Sequence, residues 1–106
     1  MSAEVIDLGH GHAIQIAVWD PDLELNPRLR HLADQFPAKT SGIVTHALPD
    51  DGECSGAITF DTPLAREHLT GPYWTVESWE PLTLSPSLLC HCGDHGFIRA
   101  GRWVPA

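Results

Sequence analysis

Cys90, Cys92 and His95 bring two thiols and an imidazole within six positions, in the run Cys90-His91-Cys92-Gly93-Asp94-His95-Gly96. Glycines beside Cys92 and His95 let the backbone take positive φ, so three soft donors can turn toward one point. Thiolate and imidazole without a carboxylate-rich surround favour zinc over calcium or magnesium. The spacing is tighter than a Cys-x-x-Cys knuckle, and a fourth donor must come from elsewhere. Cys54 is the one remaining cysteine, so the expected zinc set is Cys54, Cys90, Cys92 and His95, with His46 in reserve. The competing reading is a chance neighbourhood of core thiols and a surface histidine. His91, between the two thiols, points away from them in an extended piece and reads as a surface residue.

Asp94 invites a role as a base beside a metal-bound water, but an Asp after Gly in a turn more often accepts backbone N–H bonds. His10-Gly11-His12, with Glu4 and Asp20, faintly echoes the His-x-His and acidic residues of zinc-dependent deubiquitinating peptidases. The spacing is too short and the accompanying serine and proline are missing, so these residues read as an exposed N-terminal arm. There is no Gly-x-Ser-x-Gly elbow, phosphate loop or dinucleotide fingerprint. Both halves of the deaminase signature are also missing. Ser85 and Ser87 flank Pro86 and read as turn residues.

The elements that must position these donors are short. Ile14 to Trp19 alternates as a strand, broken by Asp20-Pro21-Asp22. Asn26-Pro27 starts an amphipathic helix carrying Leu29, Leu32, Ala33 and Phe36, stopped by Pro37. Ser41 to Leu48 reads as a strand, Pro49 to Gly52 as a turn, and Gly56 to Phe60 as another strand. Asp61 is placed to cap a brief helix over Pro63 to Leu69. Tyr73 to Trp79 and Glu80 to Leu84 are extended, and Phe97 to Val104 folds back at Ala100-Gly101. The expected fold is β-dominated α+β, a zinc-stabilised sheet of five to six short strands with one or two short helices. The whole of 1–106 forms one domain, with 1–12 as a loose arm.

Composition narrows the function. Hydrophobic residues at 42% and charged residues at 19% place the chain in the globular regime. Six basic against fourteen acidic side chains give a net charge of −8, which argues against nucleic-acid binding and leaves room for a protein partner. No stretch approaches the ~20 apolar residues of a membrane span. The start shows no secretory pattern, and three cysteines suit a metal site better than a disulfide framework, so a cytoplasmic setting is expected. Trp74, Trp79 and Trp103 are bulky enough to fill a small core.

The C-terminal half resembles a small bacterial and actinobacteriophage family, a domain of unknown function. The likeness lies in Cys54 before a strand, the tryptophan strand Trp74 to Trp79, and Thr83-Leu84-Ser85-Pro86-Ser87. It continues through Cys92-Gly93-Asp94-His95-Gly96-Phe97-Ile98 and Gly101-Arg102-Trp103. It spans roughly residues 53 to 104. Relatives often carry a doubled cysteine motif in the first segment, where this chain has Cys54 and, further on, the additional Cys90. Some bacterial relatives are encoded beside ubiquitin-like conjugation genes. The resemblance implies a zinc-supported fold and no established activity.

Three functions compete. A structural zinc in a protein-interaction module leads. A metalloenzyme, such as a hydrolase with an open metal position, and a phage structural component that self-associates are the alternatives. Ligand count separates the first two, because four protein donors close a site and three leave room for water. The hairpin tip, with Arg99, Arg102 and Trp103, is the candidate partner-binding surface, since Arg and Trp are enriched at interface hot spots; the competing reading is that both arginines pair with nearby carboxylates.

Overall fold

The computed structural model describes residues 2–48, 50, 52–90 and 92–106. The chain is β-dominated α+β, as expected. Strands β1 (Ser2–Gly9), β2 (His12–Trp19), β3 (Ala38–Ala47), β4 (Glu53–Phe60), β5 (Tyr73–Trp79) and β6 (Leu82–Ser85) pair in chain order into one six-stranded sheet. All neighbours are antiparallel except β4 and β5, where the helix α1 (Pro63–His68) provides the crossover of a short parallel pair. Strands β7 (Leu88–Leu89), β8 (His95–Arg99) and β9 (Arg102–Pro105) form a second, three-stranded sheet.

Period-two alternation decides which face is buried. Ile14 and Ile16 on β2, Val44 on β3, Ile58 and Phe60 on β4, and Leu82 and Leu84 on β6 all turn to one side. Ile98 and Trp103 from the β8–β9 hairpin cover that side. The hairpin bridges the two edges of the curled sheet, β8 lying along β6 and β9 along β1. Gly101 N–H to the Leu82 carbonyl (2.8 Å) and Ala100 N–H to Thr83 Oγ1 (3.0 Å) tie its tip down. Ala100 and Gly101 both have positive φ (51° and 73°), the geometry a two-residue hairpin turn requires.

The loose arm expected over 1–12 is corrected. Residues Ser2–Gly9 are the edge strand β1, with Leu8 fully buried, Ile6 packed against the core and Val5 outward. Lys39 pairs with Glu4 at 3.2 Å. Gly9, His10 and Gly11 (φ 77°, 53° and 75°) make the turn into β2.

Two further differences are local. Residues Pro27–Gln35 form a 3₁₀ helix in which only Leu32 is buried, because the spacing of Leu29 and Leu32 stacks side chains on a three-residue turn. Helix α1 is capped by Thr62, whose Oγ1 accepts from Ala65 N–H (3.1 Å). Asp61 instead receives Arg66 through two bonds of 2.7 and 3.0 Å.

The hairpin has little room. A Cβ on Gly96 would lie 2.6 Å from two ring atoms of Trp103 and 2.8 Å from the Val104 carbonyl oxygen. The backbone contact cannot be relieved by a rotamer change. Gly96→Ala is therefore expected to cost ~1–3 kcal/mol, as overpacking does. A denaturant midpoint equal to wild type would show that the two strands separate freely.

Candidate metal centre

The buried face of the large sheet ends in polar donors. Two positions before Ile14 on β2 stands His12, and two positions after Val44 on β3 stands His46, so both follow the alternation of the core. The strand registers set His12 opposite His46, and His46 opposite Cys54. Three potential ligands thus lie side by side on three adjacent strands.

The turn between β7 and β8 delivers the rest. It is closed by Cys90 N–H to the Asp94 carbonyl (2.8 Å) and Gly93 N–H to the Cys90 carbonyl (2.9 Å), with Gly93 at φ 90°. That geometry brings the Asp94 carboxylate to His12 Nε2 and within 3.6 Å of His46 Nδ1. Cys92 Sγ lies 3.6 Å from the same nitrogen. Donor atoms of His12, His46 and Asp94 all fall within 4.8 Å of one another, a cluster that could hold a metal ion. Bonds of ~2.0–2.3 Å to a tetrahedral ion place neighbouring donors roughly 3.3–3.8 Å apart.

The chemistry of His12 fits such an ion. Its Nδ1 is 2.7 Å from the His10 carbonyl oxygen, which can only accept, so Nδ1 carries the proton. In the neutral ring, Nε2 then turns a lone pair toward the Asp94 carboxylate. Two acceptors face each other in a site where His12 is only 4% exposed. A cation between them, or a second proton on the ring, resolves the conflict. A ring nitrogen held by a backbone carbonyl while the other faces the ion is the usual arrangement of a metal-bound histidine. The ring is also clamped between parallel neighbours, His46 at 4.2 Å and Trp103 at 4.0 Å between centroids.

No protein-family model, characterised protein or solved structure matches the chain.

Of the expected ligands, the structure brings Cys92 beside His46 and turns His95 away. Cys54 is the cross-strand neighbour of His46. His95 is exposed on β8, its Nε2 2.8 Å from Ser87 Oγ and its ring beside Phe97. Alternation explains this: Gly96 and Ile98 face the core, so His95 and Phe97 face outward. His46, the reserve, lies at the cluster instead. Asp94 is more than a turn residue, since its side chain meets both histidines. His12 is buried at the cluster and does not belong to an exposed arm. His91 lies outside the described residues.

Among the partner-binding residues, Arg99 and Arg102 are exposed and paired across the hairpin, with Arg99 over the Phe97 ring at 4.2 Å. Trp103 is corrected: it is only 2% exposed and serves the core and the histidine stack.

Burial, and then the neighbouring Cys54, Cys92 and Asp94 charges, push the Cys90 thiol from 9.0 up to about 11. In the metal-free protein the unfolded chain gives up this proton first. Stability is therefore expected to be held below pH 9.0 and to fall as pH rises toward about 11. Denaturant midpoints measured across that window in the presence of chelator check the sign; a rising midpoint would contradict it.

Proposed function

We propose that this chain is a small zinc-binding domain whose ion is structural. His12 Nε2, His46 Nδ1, the Asp94 carboxylate and Cys92 Sγ would hold it. One observation carries the reading: donors from β2, β3 and the 90–94 turn meet at one point. An ion there would fasten the smaller sheet to the larger one. Mixed nitrogen, oxygen and sulfur donors suit zinc, and four protein donors would make a closed, structural site once Cys92, which stands beside His46, turns onto the ion. A reducing, cytoplasmic setting would keep the thiols available.

The domain's role is that of a protein-interaction module. Arg99 and Arg102 stand at a fixed hairpin tip with no carboxylate at ion-pair distance among the described residues. On a chain of net charge −8 they form a local basic point that a protein partner could engage.

The test is metal content. Protein reconstituted with zinc under reducing conditions should retain bound zinc after desalting. Asp94→Asn should weaken binding by about 10–100-fold, and His46→Ala should weaken it further. Wild-type protein that retains no zinc would overturn the reading. The two-histidine, one-carboxylate face also admits a metalloenzyme, if Cys92 stays off the ion and water takes its place. Cys92→Ser separates the two, since it weakens a closed site and leaves an open one unchanged.

A further inference from the structure

Most of strand β4 is paired on one side only. Glu53 to Thr59 all have cross-strand partners on β3. On the other side β5 joins in parallel only at Thr59 and Phe60, because Tyr73 is its first residue. Among the described residues no strand pairs with the outer side of Glu53–Ile58, and no loop backbone bonds to it. Such an edge presents a row of N–H and C=O groups that another chain can complete. The charges and prolines that often guard an edge are missing from Cys54–Ile58.

A second wall stands opposite. β6 runs back past β5, and the chain continues through Pro86 and Ser87 into β7, which pairs with β8 alone. Trp74 Nε1–H donates to the Ser87 carbonyl (3.4 Å) where the two walls meet. Between β4 and β7 lies a cavity of about 200 Å³, bordered by Gly56, Ile58, Trp74, Leu88 and Leu89. Leu89 is 73% exposed at its rim. Gly56 keeps the cavity open: it shares the inward face of Ile58 and Phe60, yet a Cβ there would meet nothing within 4 Å. Glycine inside a strand often marks the close approach of another backbone.

Charge narrows the choice of occupant. Asp50 and Glu53 are exposed at the start of the edge, with no basic partner among the described residues. We propose that this edge binds an extended peptide segment of a partner protein, with alternate aliphatic side chains entering the cavity and a basic residue beside Glu53. Backbone pairing supplies affinity, and the cavity selects side chains. The surface shares no residue with the Arg99 and Arg102 tip, and the inference stands without the ion.

The experiment uses the full chain, reduced and equilibrated with zinc, and the acetylated, amidated hexapeptide Lys-Thr-Val-Thr-Val-Lys as probe. Backbone NMR should show saturable shifts centred on residues 53–58 and 88–89. Amide exchange along Glu53–Ile58 should slow by about tenfold or more. Two further probes carry N-methyl groups, one on both valines and one on both threonines. The probe whose methyls face β4 should bind about tenfold or more weakly, since its ladder bonds are lost. Gly56→Val, which fills the cavity with a residue suited to strands, should keep the melting temperature and weaken the parent peptide by a similar factor. If that variant fails to fold, the methylated probes decide. No saturable shift, both methylated probes binding like the parent, or full binding by folded Gly56→Val overturns the proposal. Shifts centred on Arg99 and Arg102 overturn it too. Slow exchange over Glu53–Ile58 in a concentration-dependent dimer without peptide makes a second copy the occupant and overturns the peptide assignment.

Discussion

Chelating the metal is expected to lower the melting temperature by about 15 °C or more. An ion at roughly a thousand times its Kd stabilises a fold by ~4 kcal/mol, and each kcal/mol shifts the melting of a domain this size by ~4–8 °C. Structural zinc contributes still more in small fingers, where about 10–16 kcal/mol of apparent binding energy is also folding energy. Set against ~5–15 kcal/mol of total stability for a domain, even the lower figure is a large share. The loss should start in the C-terminal sheet, because β7 has only two residues to pair with β8. Hydrogen exchange should show β7 to β9 losing protection before β2 and β3. A melting curve unmoved by chelator would mean that the donors are held by the fold alone.

Trp103→Ala should cost ~3–5 kcal/mol, as removal of a buried aromatic does. Its ring is 2% exposed, fills the space under the hairpin and lies flat on His12. The indole Nε1 has no hydrogen-bond partner among the described residues, so the loss is one of packing and stacking. A second effect distinguishes this residue from an ordinary core tryptophan: without its clamp the His12 ring can rotate, and metal affinity should fall with stability. Arg102→Ala, one position away and exposed, should stay within about 0.5 kcal/mol of wild type. A Trp103 variant that melts early yet binds zinc at full affinity would separate the stack from the site.

The middle of the fold was legible because alternation is a local signal. Ile14 to Trp19, Tyr73 to Trp79 and the Phe97 to Val104 hairpin all became strands near their expected bounds. The same rule, carried two residues further, would have found His12 and His46 as continuations of the Ile14 and Val44 faces. Counting donors along the chain missed His12 and held His46 only in reserve, because these ligands converge across strands through registers that a linear spacing does not contain. For the same reason His95, adjacent to the motif in sequence, faces away from it in space. The strand β1 was hidden by its position at an edge, where pairing with β2 decides the conformation more than its own residues do.

The contact between His12 and Asp94 joins residues 82 positions apart. During synthesis, the first histidine leaves the ribosome long before its carboxylate partner exists. A growing chain can therefore fold β2 and β3 together and still lack the means to retain an ion. The proposed metal site can close only after the turn that carries Asp94 has emerged. Before then, His12 and His46 stand on paired strands without the carboxylate that completes the cluster.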